Sequence, residues 1–205
     1  HHRDMNHLEQ LLGRRPPGKP TLIVTDGIFS MDGDIAPMRD IALLAEQYGA
    51  AVYVDDAHGT GILGETGRGT LEHCDVETRI PYHMGTLSKA IGSSGGYLAG
   101  SAEFVAYLVN TCRAFTYTTA PTPAATAAAT AALRVIRQEP ERRARLWRNR
   151  HRLAQGLSGL GFRLADALGP PGRKAARPQH VVEHRQVGDQ VELPEDETEV
   201  IGPEG

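Results

Sequence analysis

Two short apolar runs end abruptly in charged or turn-forming residues, with one amphipathic segment between them. The runs are "TLIVTDG" (21–27) and "AAVYVDDAHG" (50–59). Each is apolar throughout and closed by an Asp-containing pair, so each reads as a buried strand. The intervening "APMRDIALLAEQYGA" sets Met38, Ile41, Ala42, Leu44 and Ala45 at helical spacing, with Pro37 at its start and Gly49 at its end. That predicts a helix punctuated at both ends. "IPYHMGT" and "GGYLAGS" are further strand candidates, flanking the loop that contains Lys89. Strand–helix alternation up to about residue 118 implies an α/β domain with a mostly parallel sheet. In such sheets the chemistry lies where strands end and loops begin.

The remaining segments fill in around this pattern. "DMNHLEQLL" (4–12) reads as a short helix capped by Asp4 or Asn6, followed by a break at "RRPPGKP". "AEFVAYLVNTCRAF", "APTPAATAAATAALRVIRQ" and "EPERRARLWRNRHRLAQGLSGLGF" read as three more helices. In the last, Leu146 and Trp147 are expected to pack inward while the arginines stay solvated, because Glu139 and Glu141 lie nearby and no aromatic interleaving follows. From "GPPGRKAARPQH" onward prolines are scattered and eight acidic residues follow position 182. A disordered tail is expected there, with a small β-element around "HVVEHRQVGDQVEL" as the competing reading.

A net charge of −3 gives no global reason to expect a nucleic-acid partner. No apolar run approaches the roughly 20 residues that span a bilayer, so no membrane partner is expected. Cys74 and Cys112 have no metal-like spacing and suit a reducing compartment, and the N-terminus shows no signal-peptide pattern, so a cytoplasmic location is expected.

Lysine is scarce: of 22 basic residues only Lys19, Lys89 and Lys174 are lysines. Lys19 lies in a loop and Lys174 in the Pro/Gly-rich tail, so Lys89, in "GTLSKAIGSSGG", is the only lysine in the part predicted to fold. A lysine used for charge is replaceable by arginine; one used as an amine nucleophile is not, because guanidinium keeps its proton. Two other stretches place polar residues at the ends of apolar runs. They are "DGIFSMDGD" (26–34), with Ser30 and Asp32, and "VDDAHGTG" (54–61), with Asp55, Asp56 and His58. Burying such groups is costly unless they have partners.

Taken one at a time these residues have plain readings: Asp55 and Asp56 as a cap or turn pair, His58 as a hydrogen-bonded loop histidine, "GSSGG" as a flexible turn. Asp55, Asp56 and His58 as metal ligands of a metallohydrolase is a further alternative, which leaves Lys89 unexplained. Taken together they suggest a pyridoxal phosphate site and no metal. Lysine forms a Schiff base with the cofactor aldehyde, a carboxylate keeps the pyridine nitrogen protonated, and hydroxyls with backbone N–H groups bind the phosphate. Lys89, Asp55 and Thr86, with Ser88 and the glycines beside it, are suitable types in suitable places.

The same three stretches, "DGIFSMDGDIAP", "VDDAHGTGILGETGRGT" and "GTLSKAIGSSGGYLAGS", closely resemble the α-oxoamine synthases, a branch of the fold-type I pyridoxal phosphate enzymes. The resemblance runs over residues 2–165 and includes "FTYTTAPTP". It implies a fold-type I aminotransferase-like large domain, incomplete at both ends, with a mostly parallel sheet between helices. It implies that residues 1–138 are the cofactor-binding domain, 139–165 a connecting helix, and 166–205 a divergent tail. By motif, Lys89 would hold the cofactor and shuttle the substrate α-proton, and Asp55 would pair with the pyridinium. His58 would hydrogen-bond the cofactor's phenolic oxygen near Ser30, Ala57 would pack on a ring face, and Thr86 would bind phosphate. Thr118 and Thr119 would reach the cofactor of a partner in a homodimer.

Members of the family condense an amino acid with an acyl thioester and release CO2. The resemblance implies L-alanine with a pimeloyl thioester, carried on CoA or a carrier protein, and as an alternative glycine with acetyl-CoA. It also implies segments on both sides that this chain does not match: a glycine-rich stretch ahead of it and a small domain with a substrate-binding arginine behind it. A non-catalytic fragment or partner subunit is therefore the reading from another class.

Overall fold

The computed structural model describes residues 1–16, 18–162 and 164. The predicted tail at 166–205 lies outside the described residues. Helix α1 (Met5–Arg14) is capped by Asp4, whose carboxylate accepts the His7 N–H at 2.9 Å. Strand β1 (Leu22–Asp26), helix α2 (Met38–Tyr48) and strand β2 (Ala51–Asp55) form the predicted strand–helix–strand unit. Helix α2 stops at Gly49, whose φ of 60° is the left-handed turn that glycine adopts without a Cβ penalty.

Short α3 (Thr70–Cys74) leads into β3 (Tyr82–Thr86), and the loop with Lys89 returns the chain as β4 (Gly96–Ala99). Helices α4 (Ala102–Thr111), α5 (Arg113–Thr116), α6 (Pro123–Gln138) and α7 (Pro140–Gly159) follow. The predicted helix over 102–115 is thus two pieces, broken at Cys112, whose backbone is extended.

The sheet order is β1-β2-β3-β4. Strands β1, β2 and β3 are parallel, and β4 runs antiparallel to β3. Register sets Asp26 beside Asp55, Asp55 beside Met84, and Thr86 beside Gly96, so the polar residues gather at one edge.

The core lies on one face. Ile23, Val52 and Val54 pack with Met38, Ile41, Ala42 and Ala45 of α2, Leu71 and Cys74 of α3, and Leu12 of α1. These α2 positions follow the helical period, which turns one stripe to the sheet. The other face of β1 is open: Leu22 and Val24 are 57% and 64% exposed. Both strands read as buried; β1 is covered on one face and exposed on the other, and on that other face of β2 Tyr53 is half-buried. A second small cluster joins Ile28, Leu63 and Trp147. Trp147 packs inward as expected and its indole N–H donates to the Ile62 carbonyl at 3.3 Å. Leu146 does not: it is 43% exposed, because the neighbouring helix position points about 100° away.

Candidate active site

Strand β2 delivers two carboxylates, and the pleat sends them to opposite faces. Asp55 ends the strand half-buried, on the side of Tyr53. Its Oδ1 accepts the Ala57 N–H at 2.9 Å, which starts the turn that follows. Burial first, then the charge of Asp55, pushes the Tyr53 phenol above its ordinary pKa.

Asp56 faces the core, 1% exposed. Its Oδ2 accepts the Thr70 N–H at 2.8 Å, at the first residue of α3. Burial pushes its carboxyl up to about 6, with the Thr70 N–H hydrogen bond working in the other direction. The metal-ligand alternative for Asp55, Asp56 and His58 is not realised among the described residues. The group of potential ligands that does converge there is His2, Asp32 and Asp34. Asp34 is already engaged by Arg3 at 2.9 Å and His2 at 3.0 Å, so that group is an ion-pair cluster on the chain's surface.

The turn after Asp56 carries His58 toward Lys89. The Asp56 carbonyl accepts the N–H groups of Gly59 and Thr60 and the Thr60 hydroxyl, at 3.0–3.1 Å. His58 Nε2 lies 3.0 Å from Lys89 Nζ, across 31 positions of sequence. The amine is on an exposed loop whose base is closed at Leu87. The Leu87 N–H donates to the Gly95 carbonyl at 2.8 Å, and the Leu87 carbonyl accepts from Ser93 at 2.7 Å. Ser93 Oγ in turn donates to the Ala125 carbonyl of α6 at 2.7 Å, which anchors the loop.

Thr86, the last residue of β3, sits at the mouth of the same loop. Its hydroxyl is 2.7 Å from Ser88 Oγ and accepts the Ser88 N–H at 3.2 Å. Ala57 is buried at the start of the turn. Ser30 is exposed in the turn between Phe29 and Asp34, and no hydrogen bond joins it to Lys89 among the described residues. Thr118 and Thr119 are exposed between α5 and α6. Thr118 borders a cleft of about 550 Å³ on the open sheet face, with Tyr53, Met84 and Phe115. The structure therefore brings Lys89 and His58 into contact and sets Asp55 and Thr86 at adjacent strand ends, while Ser30, Thr118 and Thr119 are exposed and make no hydrogen bond to these four among the described residues.

One residue enters that the sequence did not single out, and another takes a role it did not suggest. Tyr97 on β4 places its hydroxyl 3.0 Å from Thr60 Oγ1, bracing the far side of the His58 turn. Asp56, noted only as a cap or metal ligand, proves to be the carboxylate around which the turn is built. The signal for the latter was present as three nearby glycines, Gly27, Gly59 and Gly69, but their convergence is a property of the fold.

The donor set suits pyridoxal phosphate: an accessible amine beside an imidazole, a carboxylate with one oxygen still available, and paired hydroxyls next to backbone amides.

Comparison with known proteins agrees with this geometry. Residues 1–169 match the family described as aminotransferase class I and II. The 8-amino-7-oxononanoate synthase of Bacillus pumilus (strain SAFR-032) is 47% identical over 169 residues, covering 82% of this chain and 43% of the relative. The 8-amino-7-oxononanoate synthase 1 of Bacillus subtilis (strain 168) gives the same identity and coverage. Among solved structures, Sphingomonas wittichii serine palmitoyltransferase superposes with a TM-score of 0.77 at 36% identity, covering 80% of this chain and 41% of the other. The 8-amino-7-oxononanoate synthase of Francisella tularensis gives a TM-score of 0.64 at 27% identity, covering 80% and 47%. The chain spans less than half the length of these relatives. A mostly parallel sheet flanked by helices, polar strand ends around a lysine, and a match over most of the sequence lead to one conclusion: the chain belongs to the class I and II aminotransferase family.

Proposed function

We propose that this chain carries the pyridoxal phosphate site of an α-oxoamine synthase. The reaction is the condensation of L-alanine with a pimeloyl thioester, on CoA or a carrier protein, to 8-amino-7-oxononanoate. The observation that carries the reading is the Lys89–His58 contact at 3.0 Å, beside the strand end that bears Asp55. The names of the relatives, 8-amino-7-oxononanoate synthase, support the product of this reading.

Bound pyridoxal phosphate would supply an electron sink for the carbanion left when the amino acid loses its α-proton. Lys89 would hold the cofactor through Nζ, and that nitrogen would take up the amino acid's α-proton. His58 orients Nζ and would hydrogen-bond the cofactor's phenolic oxygen. The second oxygen of Asp55 would keep a proton on the ring nitrogen, and the Ala57 N–H bond to Oδ1 fixes the carboxylate for that role. Thr86, Ser88 and the amides of the loop through Gly95 would hold the phosphate. In the net reaction a C–C bond forms between the amino acid's Cα and the acyl carbonyl carbon, and the C–S bond breaks to release thiol. The carboxyl leaves as CO2, and Cα regains a proton from Lys89.

Residues 1–138 form the cofactor-binding part and 139–165 a connecting helix in this reading. Thr118 and Thr119, exposed between α5 and α6, serve the partner's site in a homodimer in this reading, and the location is cytoplasmic.

The test is to mix the purified chain with pyridoxal phosphate, follow the absorbance, reduce with borohydride and map the modified peptide. A visible band and a label on Lys89 are expected. Spectral change on adding L-alanine rather than glycine would support the substrate assignment, and the reverse would shift it to glycine with acetyl-CoA. Absence of a label on Lys89 would overturn the reading for this chain.

A further inference from the structure

Asp56 is a fully buried carboxylate that does not touch Lys89, and the catalytic roles proposed above leave it unused. Its surroundings are unusually specific. A Cβ added to Gly27, Gly59 or Gly69 would run into its carboxylate. Those three glycines come from the loop after β1, from the His58 turn, and from the residue before α3. Gly69 has a φ of +105°, which an L side chain rarely adopts, so the approach is built into the backbone. The Asp56 side chain receives the Thr70 N–H, and its carbonyl receives Gly59 and Thr60. Its own N–H donates to the Met84 carbonyl at 2.9 Å, continuing the β2–β3 ladder. One residue thus ties together β3, α3 and the turn that carries His58.

We infer that Asp56 is a positioning residue that locks the Asp56–Thr60 turn and thereby holds His58 against Lys89. The role requires a hydrogen-bond acceptor of this size. A fixed negative charge is not required: Oδ1 has no hydrogen-bond partner among the described residues, and burial favours the neutral acid. Asparagine offers the same acceptor to Thr70 and should substitute for it, whereas alanine should not.

The inference rests on the site proposed above, but its test uses the full chain without cofactor. In NMR spectra, cross-peaks between the His58 ring and the Lys89 ε-methylene report the contact, and amide exchange of Thr70 reports the Asp56 hydrogen bond. Asp56→Ala is expected to weaken the cross-peak about fivefold and speed Thr70 exchange about tenfold, the scale of one lost buried hydrogen bond. Asp56→Asn should retain both, and so should Ile41→Ala, a core variant that destabilises the same unit from a distance. The inference falls if Asp56→Ala keeps the cross-peak, or if Asp56→Asn or Ile41→Ala loses it to the same extent. Should Asp56→Ala not fold, Gly27→Ala displaces the carboxylate from the opposite loop and must give the same loss. A folded Gly27→Ala with an intact cross-peak overturns the inference. Failure of both variants to fold does so as well, because Asp56 would then hold the whole domain and not one turn. A wild-type chain that yields no label on Lys89, yet shows these spectral changes, would remove the proposed chemistry and leave this role standing.

Discussion

On one face of the sheet Ile23, Val52 and Val54 meet Met38, Ile41 and Ala42 at 8% exposure or less, while on the other Leu22 and Val24 of the same β1 stand 57% and 64% exposed. The two faces are made of the same residue types. What separates them is whether a helix lies across them. The covered face fixes strand order and register, and the candidate chemistry sits at the carboxyl edge, where the open face begins. Asp55 belongs to the open side and Asp56 to the covered one, so adjacent carboxylates serve different purposes.

The comparison can be broken most directly at Lys89. Lys89→Ala should abolish the borohydride-trapped label entirely, yet leave the thermal midpoint within about 2 °C, because an exposed side chain contributes little to the core. A large loss of stability would mean that the loop belongs structurally to the covered side. Next in size, Met38→Ala, 1% exposed on α2, should cost about 2–5 kcal/mol in urea unfolding.

Asp56 sharpens the contrast through pH. Burial raises its carboxyl from the ordinary 3.8 to about 6. Between those values the folded chain holds more protons than the unfolded one, so stability falls as pH rises through the window. Relative to Asp56→Asn, the wild type should lose on the order of 3 kcal/mol between pH 4 and 7, measured by urea unfolding across that range. Parallel stability curves would show that the carboxylate is solvated. At the small end, Val24→Thr on the open face should change stability by no more than about 0.5 kcal/mol, and a larger loss would mean that this face is covered in solution.

Much of this was legible in the sequence, for reasons that can be named. Strands β1 and β2 and helix α2 announce themselves by period and punctuation, and Asp4 caps α1 as its residue type suggests. Helix α3, "TLEHC", is too short to show a helical period, and the break at Cys112 interrupts an apolar run with no glycine or proline to mark it. The exposure of Leu22 and Val24 was not legible either, since an apolar strand looks alike whether one face or both are covered. In the site, Lys89 stood out by scarcity and His58 by company, but their contact across 31 positions follows from where β2 and β3 end. Asp55 and Asp56 are the same residue type side by side; the motif singles out Asp55, but that the two face opposite sides of the sheet comes from the pleat.

That sorting makes β2 tolerant of one kind of genetic change and intolerant of another. Replacing Ala51 or Tyr53 alters a side chain and leaves the frame of the strand intact. Deleting either residue moves every later side chain to the opposite face, because only Gly49 and Ala50 lie between α2 and β2 to absorb the shift. Asp56 would then stand where Asp55 stood, Ala57 would occupy the glycine-walled pocket, and the turn bearing His58 would lose its anchor. The strand would still be apolar and would still read as a strand. A lineage carrying such a deletion would keep the motif in its sequence and lose the arrangement that the motif describes.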